Sequence, residues 1–126
     1  MPTILLVEDS EENRMVFEAF LMGIHCQLEI AKDGLEAVNK CKKYKFELIF
    51  MDLQMPVMDG IEATRLIRAW EEENRTGNPT PIVALTAHSS GEEVDKCLQA
   101  GCNHVLAKPV PRHLLMRTLH FWMGQP

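Results

Sequence analysis

Residues 46–60 read FELIFMDLQMPVMDG. From Phe46 to Met51 the run is apolar apart from Glu47, and it stops on Asp52. A near-continuous apolar run of this length suits a strand covered on both faces, as in a parallel sheet sandwiched between helices. The loop beyond it carries Pro56 and then Asp59-Gly60, turn residues that lead into a helix bearing Ile61, Leu66, Ile67 and Trp70. The unit is therefore strand, polar strand end, turn and helix, with Asp52 at the carboxyl end of the strand.

Working outward, the same unit recurs. Towards the amino end, Thr3 to Val7 is a strand that stops at Glu8-Asp9. Ser10 suits the cap of a helix with Val16, Phe17, Phe20 and Leu21 on its apolar stripe, and Gly23 suits its stop. Asn13 and Arg14 fall near the first turn of that helix. Gln27 to Ala31 is a second strand, and Asp33-Gly34 opens a helix that turns Leu35, Val38 and Cys41 inward. Towards the carboxyl end, Pro81 to Leu85 is a strand ending at Thr86, followed by a helix with Val94, Cys97 and Leu98. His104 to Ala107 is the last strand and ends at Lys108. Its helix starts near Pro111, a favourable first-turn residue, and carries Leu114, Leu115, Leu119 and Trp122. Glu71 to Thr80 is polar and reads as a helix end plus a mobile loop. Five strand–helix pairs predict an α/β fold, a doubly wound (βα)5 five-stranded parallel sheet with right-handed crossovers, and one domain over residues 1–126.

Composition narrows the function. With 46% hydrophobic and 25% charged residues the chain reads as an ordinary globular protein. A formal net charge of −5 and the lack of a long Lys/Arg run argue against direct nucleic-acid binding. The densest basic stretch, Lys40 to Lys45, suits the solvated end of a helix. No apolar run approaches the roughly 18 residues needed to insert in a membrane. Cys26, Cys41, Cys97 and Cys102 form no CxxC pair, and they read as free thiols in a reducing cytoplasm. The spacing of Cys97, Cys102 and His104 fits no structural zinc pattern.

The informative polar residues are Glu8, Asp9, Asp52, Thr86 and Lys108, which all fall at the carboxyl ends of predicted strands. In an open parallel sheet that edge is where ligands bind, near the point where strand order reverses. Asp9 and Asp52 at close range repel unless a cation lies between them, and a hard divalent ion with oxygen ligands relieves that repulsion. Mg²⁺ is the common solution where phosphate oxygens are also present, with Mn²⁺ as the alternative. Asp52 then has the chemistry of a carboxylate nucleophile towards phosphorus. The ion, the Lys108 ammonium and the Thr86 hydroxyl stabilise the equatorial phosphoryl oxygens.

Four stretches carry a resemblance across essentially the whole chain: ILLVED (4–9), MDLQMPVMDG (51–60), IVALTA (82–87) and LAKP (106–109). The chain resembles the receiver domain of two-component response regulators, with similarity to the receivers of hybrid histidine kinases. The resemblance implies a flavodoxin-like strand order 2-1-3-4-5. It implies phosphorylation of Asp52 from a phosphohistidine donor, either a histidine kinase or a histidine phosphotransfer protein. Asp9 takes the place of the direct metal ligand, Glu8 that of an acidic neighbour holding a metal-bound water, and Gln54 supplies a ligand through its backbone carbonyl. Thr86, with the backbone N–H of Ala87, and Lys108 take the places that meet the phosphoryl group. The Lys108-Pro109 bond is implied to be cis. Gln54 and His88 flank the path of attacking water and tune the acyl phosphate's lifetime.

In this family the chain would be mainly a phosphoacceptor switch that assists its own phosphorylation and dephosphorylation, borderline as an enzyme, and cytoplasmic. The output face is implied to be the fourth helix, fifth strand and fifth helix, serving a homodimer or a downstream protein. Met116, Phe121 and Met123 lie off the apolar stripe there and suggest exposed apolar surface. One departure stands out. Val105 occupies a place that often holds Tyr or Phe, and a β-branched side chain has few rotamers and no ring to swing, so the paired aromatic part of the switch is expected to be missing or weakened. Other classes fit less well. Phosphatases of the haloacid-dehalogenase type place a second Asp two residues after the nucleophile, where this chain has Gln54. A flavodoxin-like cofactor binder wants a phosphate-cradling first loop, for which Glu8-Asp9-Ser10-Glu11-Glu12 has the wrong charge.

Overall fold

The computed structural model describes residues 1–74, 76–88 and 90–124. Strands and helices alternate as β1 (Thr3–Val7), α1 (Glu11–Leu21), β2 (Gln27–Ala31), α2 (Gly34–Lys43), β3 (Leu48–Asp52), α3 (Gly60–Asn74), β4 (Ile82–Thr86), α4 (Gly91–Ala100), β5 (His104–Ala107) and α5 (Arg112–Met123). All strand pairs are parallel, in the order β2-β1-β3-β4-β5. The expected α/β class and strand order are both present. Arg75 in the expected loop, and the last two residues of the expected 1–126 domain, lie outside the described residues.

Burial explains why β1, β3 and β4 read as continuous apolar runs. Every residue from Ile4 to Val7, from Leu48 to Asp52 and from Ile82 to Thr86 is buried. Successive side chains point to opposite faces, so Leu5, Val7, Ile49, Met51, Ile82 and Ala84 pack with Ala37, Val38, Ala63, Ile67 and Cys97 of α2, α3 and α4. Ile4, Leu6, Leu48, Phe50, Val83 and Leu85 pack on the other face with Phe17, Leu21, Leu115 and Leu119 of α1 and α5. Phe17 and Phe50 meet edge to face, with ring centroids 5.2 Å apart. The edge strands β2 and β5 are less buried, and their sequences are correspondingly mixed.

The starts of α1 to α4 are capped by side chains, whereas α5 begins after Pro111 without one. Ser10, Asp33 and Ser90 accept from the N–H groups of Asn13, Glu36 and Glu93. Asp59 accepts from Glu62 N–H at 2.9 Å at the start of α3. The helix stripes are less well anticipated. Val16, Leu35, Leu66 and Leu98 are exposed rather than inward. Small helix residues, among them Ala37, Ala63, Thr64 and Ala100, are buried instead. On α5, Phe121 is exposed as expected, but Met116 and Met123 pack against the core.

The expected helix end in Glu71 to Thr80 is present, since α3 runs to Asn74, and Glu71 is buried. Its carboxylate accepts from Arg68 Nη1 at 2.7 Å and Thr80 N–H at 2.9 Å, tying the segment's return to β4. Cys97 and Cys102 are a disulfide pair with Cα atoms 5.7 Å apart, not free thiols, because Gly101 ends α4 in the left-handed conformation and turns Cys102 back towards Cys97. Cys26 and Cys41 are free. Burial, aided by the nearby Glu71 charge and offset in part by Arg68, pushes the Cys41 thiol up to about 12, so it is an inert core group.

Gly60 shows why the Asp59-Gly60 dipeptide sits where it does. A Cβ there would lie 2.3 Å from Asp52 O and 2.9 Å from Leu53 Cα. Both obstacles are backbone, so neither can swing aside. Gly60→Ala is expected to lower the unfolding free energy by about 1–3 kcal/mol, the usual cost of overpacking a tight contact. Urea denaturation reads it, and an unchanged midpoint would show that the close approach of α3 to β3 is not required.

Candidate functional site

Parallel register lines up the strand ends. Val7 pairs with Met51, Asp52 with Leu85, and Thr86 with Ala107. The chain passes from β1 outward to β2 and then back across β1 to β3, so strand order reverses at β1 and β3. The crevice beyond their carboxyl ends is the expected ligand position in an open α/β sheet. Glu8, Asp9 and Asp52 converge there. Each offers a carboxylate oxygen, and these atoms all lie within 4.8 Å of one another. Glu8 and Asp52 are buried, at 2% and 3% exposure, whereas Asp9 is exposed.

Glu8 is fixed from several sides. Its N–H continues the sheet by donating to Ala31 O at 3.0 Å. Ser10 N–H donates to Oε2 at 3.2 Å, Asn13 Nδ2 reaches Oε1 at 3.5 Å, and Arg14 Nη1 donates to the backbone carbonyl at 3.0 Å. The first turn of α1 thus serves as a clamp on the acidic pair, a role that the positions of Asn13 and Arg14 in the sequence do not reveal. Asp52 Oδ1 accepts from Gln54 N–H at 3.1 Å. The Gln54 side chain itself faces solvent.

Lys108 spans the site. Its Nζ lies 3.0 Å from Glu8 Oε1 and 3.0 Å from Asp52 Oδ2. The backbone aims it there, since Lys108 N–H donates to Thr86 O at 2.8 Å and the Lys108-Pro109 bond is cis, as the resemblance implies. Burial disfavours the ammonium, but the hydrogen bonds and charges of Asp52 and Glu8 outweigh it, and the Lys108 pKa is raised above its ordinary 10.5. Lys108 is therefore a fixed cation.

Thr86 lies at the strand end beside the site, and its hydroxyl is engaged by His88 and Glu93. It is fully buried, sits within 3.0 Å of both Glu93 Oε1 and His88 O, and accepts from His88 N–H at 3.0 Å. Glu93 is a residue that the sequence does not single out, because a first-turn acid on a helix is unremarkable by pattern. Ala87 and His88 are exposed at the rim. Val105 is half-buried and packs against the cluster on the α2, α3 and α4 face, so no ring occupies that place.

Three acidic oxygens around a crevice, a fixed ammonium and a strand-end hydroxyl form a donor set for a hard cation next to an anionic group. The family model for the response regulator receiver domain matches residues 4–120. The chain belongs to the receiver domain family. It is therefore a phosphoaccepting signalling domain of two-component systems and phosphorelays, acting as a switch, and its acidic cluster is able to coordinate a divalent metal.

Its relatives include hybrid signal transduction histidine kinase G of Dictyostelium discoideum, 47% identical over 109 residues, a match that covers 85% of this chain and 3% of that protein. The receiver domain of Saccharomyces cerevisiae Ssk1, solved with the histidine phosphotransfer protein Ypd1, has a TM-score of 0.91 and 41% identity over 96% of this chain and 88% of that one. The receiver domain of sensor histidine kinase PA1611 from Pseudomonas aeruginosa, solved with magnesium coordinated in its active-site cleft, has a TM-score of 0.85 and 42% identity over 98% of both chains. This receiver spans only 3% to 14% of the length of the first curated kinases it matches. No helix among the described residues is long and apolar enough to cross a membrane.

Proposed function

We propose that Asp52 is the phosphoacceptor, that Glu8, Asp9, Asp52 and the Gln54 backbone carbonyl hold Mg²⁺ (with Mn²⁺ able to substitute), and that Thr86 and Lys108 bind the transferred group. The observation that carries this reading is the Lys108 bridge, 3.0 Å from each of two buried carboxylates at the strand-order reversal. An ammonium so placed marks where extra negative charge is received. When bound, the ion supplies charge neutralisation of the phosphoryl oxygens.

The residues divide the work as follows. Asp52 attacks the phosphorus of a phosphohistidine; the O–P bond forms as the N–P bond breaks, and the electron pair returns to the imidazole. Gln54 N–H holds Asp52 Oδ1, which orients the carboxylate. Lys108, already within reach of Asp52, follows the charge onto the phosphoryl oxygens. Thr86 supplies a hydroxyl to one of them. Gln54 and His88, both exposed at the rim, modulate the access of hydrolytic water.

The donor is a histidine kinase or a histidine phosphotransfer protein, and a groove beside the site suits its docking. It is lined by Val16, Phe17 and Phe20 of α1 together with Pro109 and Val110, and it opens onto Glu8 and Lys108 with a volume near 390 Å³. Val16, half exposed, lies on this groove and so has a use outside the core. The face made by α4, β5 and α5, where Phe121 is exposed, remains for a homodimer or a downstream protein. Residues 1–126 are one receiver module, similar to those within larger kinases, and an ATP-derived phosphohistidine donor implies a cytoplasmic setting. Incubation with phosphoramidate and Mg²⁺, followed by intact-mass measurement, is expected to add one phosphoryl group that hydroxylamine removes. An unmodified mass, or an adduct formed equally well in EDTA, would overturn the proposal.

A further inference from the structure

We propose that Glu93 is a positioning residue: its carboxylate holds the Thr86 hydroxyl away from the acceptor in the unphosphorylated domain, and a phosphoryl group on Asp52 has to compete for that hydroxyl's single proton. The inference rests on the reading of Asp52 as phosphoacceptor.

A threonine hydroxyl has one hydrogen to donate. Thr86 Oγ1 has two acceptors at 3.0 Å, Glu93 Oε1 and His88 O, and it already receives His88 N–H at 3.0 Å. A carboxylate is the stronger of the two acceptors, because hydrogen bonds to an ionised partner are roughly twice as strong as neutral ones. Thr86 is fully buried, so its hydroxyl has no exposed surface from which to turn to solvent.

Glu93 is well placed for this task. It is the third residue of α4, and its own N–H is held by Ser90 Oγ at 3.3 Å, which fixes the start of the helix from which its side chain reaches Thr86. Asp52 pairs with Leu85 across β3 and β4, so Thr86 is one residue beyond the acceptor's partner. A phosphoryl group on Asp52 brings anionic oxygens to the same strand ends, and one proton cannot serve both anions. The released carboxylate has somewhere to go: Glu93 also lines an open groove with Gln54, Asp59, Ser90, Glu92 and Lys96, where solvent receives it; the Lys96 ammonium there is paired with Glu92 at 3.4 Å. Redirection of the Thr86 hydrogen bond from Glu93 to the phosphoryl group thus breaks this link between β4 and the first turn of α4.

The test uses beryllofluoride with Mg²⁺ as the phosphoryl probe, on the whole chain, with NMR as the readout. In the metal-free, ligand-free protein, Glu93→Ala should move the Thr86 methyl resonance towards its position in the beryllofluoride-bound wild type. The same variant should bind beryllofluoride about fivefold more tightly, since one charge-assisted hydrogen bond no longer has to be given up. Glu93→Gln, which keeps the packing and a weaker acceptor, should fall between the two and guards against an effect of misfolding at α4. In a Thr86→Val background, Glu93→Ala should leave the affinity unchanged. An equal tightening in that background would mean that loss of a negative charge acts through space, and would overturn the proposal. So would a Glu93→Ala protein whose Thr86 resonance and affinity match the wild type. If the wild type itself fails to bind beryllofluoride, the assignment of Asp52 falls and this inference falls with it.

Discussion

Asp52→Asn is expected to abolish phosphoryl uptake completely while leaving the domain folded. The substitution keeps the side chain's volume in a position with 3% exposure, and the amide oxygen still accepts from Gln54 N–H, so β3 and its loop keep their contacts. An amide is not a nucleophile towards phosphorus and carries no charge to attract a cation. Its NH₂ group would also face the Lys108 ammonium, donor against donor, so Lys108 is left with Glu8 as its carboxylate partner. Intact mass after phosphoramidate treatment reads the first effect, and circular dichroism reads the second. A full phosphoryl adduct on the folded variant would move the acceptor to another residue, and Asp9 would be the first to examine.

Lys108→Met is the second large expectation, and it separates structural from chemical roles. Glu8 and Asp52 have side-chain exposures of 2% and 4% and share this ammonium, whose own side chain is 22% exposed. Removing it leaves two buried carboxylates without their shared counter-charge, at a cost of about 3 kcal/mol of unfolding free energy in the absence of divalent cations. Because the variant needs a cation more than the wild type does, Mg²⁺ should stabilise it by a larger increment, which thermal unfolding with and without Mg²⁺ will read. Phosphoryl uptake should nonetheless fall by about 10²–10³-fold, the usual loss when a fixed donor to developing charge is removed. Equal Mg²⁺ stabilisation in both proteins would show that Lys108 does not compensate the acidic pair.

The same contact sets a pH dependence. The Lys108 pKa is raised in the folded state, so its stabilisation is fully present below the ordinary value of 10.5 and is lost as pH rises through the raised one. The titration of Lys108 should therefore add no pH dependence to stability across the neutral range, with the loss confined to strongly alkaline solution.

Much of the fold could be read from the sequence because three strands lie between two helix layers. Ile4 to Val7, Leu48 to Met51 and Ile82 to Leu85 have no solvent face, so their apolar runs are uninterrupted and their polar ends mark the site edge. The inward faces of the helices were harder to read. Large apolar residues such as Val16, Leu35, Leu66 and Leu98 stand exposed, while small ones such as Ala37 and Ala63 are fully buried beside Val38 and Ile67. A helix lying close on a sheet selects for small volume, and hydrophobic periodicity does not register that. The pairing of Cys97 with Cys102 escaped for a related reason, since it depends on the left-handed turn at Gly101 and not on spacing.

The sequence by itself determined the class of fold and the gathering of Glu8, Asp9, Asp52, Thr86 and Lys108 at one sheet edge, because strand ends are set by where apolar runs stop. Only the tertiary structure decided what each group does with its charge and protons. Lys108 bridges Glu8 and Asp52, the first turn of α1 clamps Glu8, and the Thr86 hydroxyl lies within 3.0 Å of both His88 O and Glu93 Oε1. Those choices turn on separations of about 3 Å between residues far apart in the chain, and hydrogen bonds and ion pairs act only at such range.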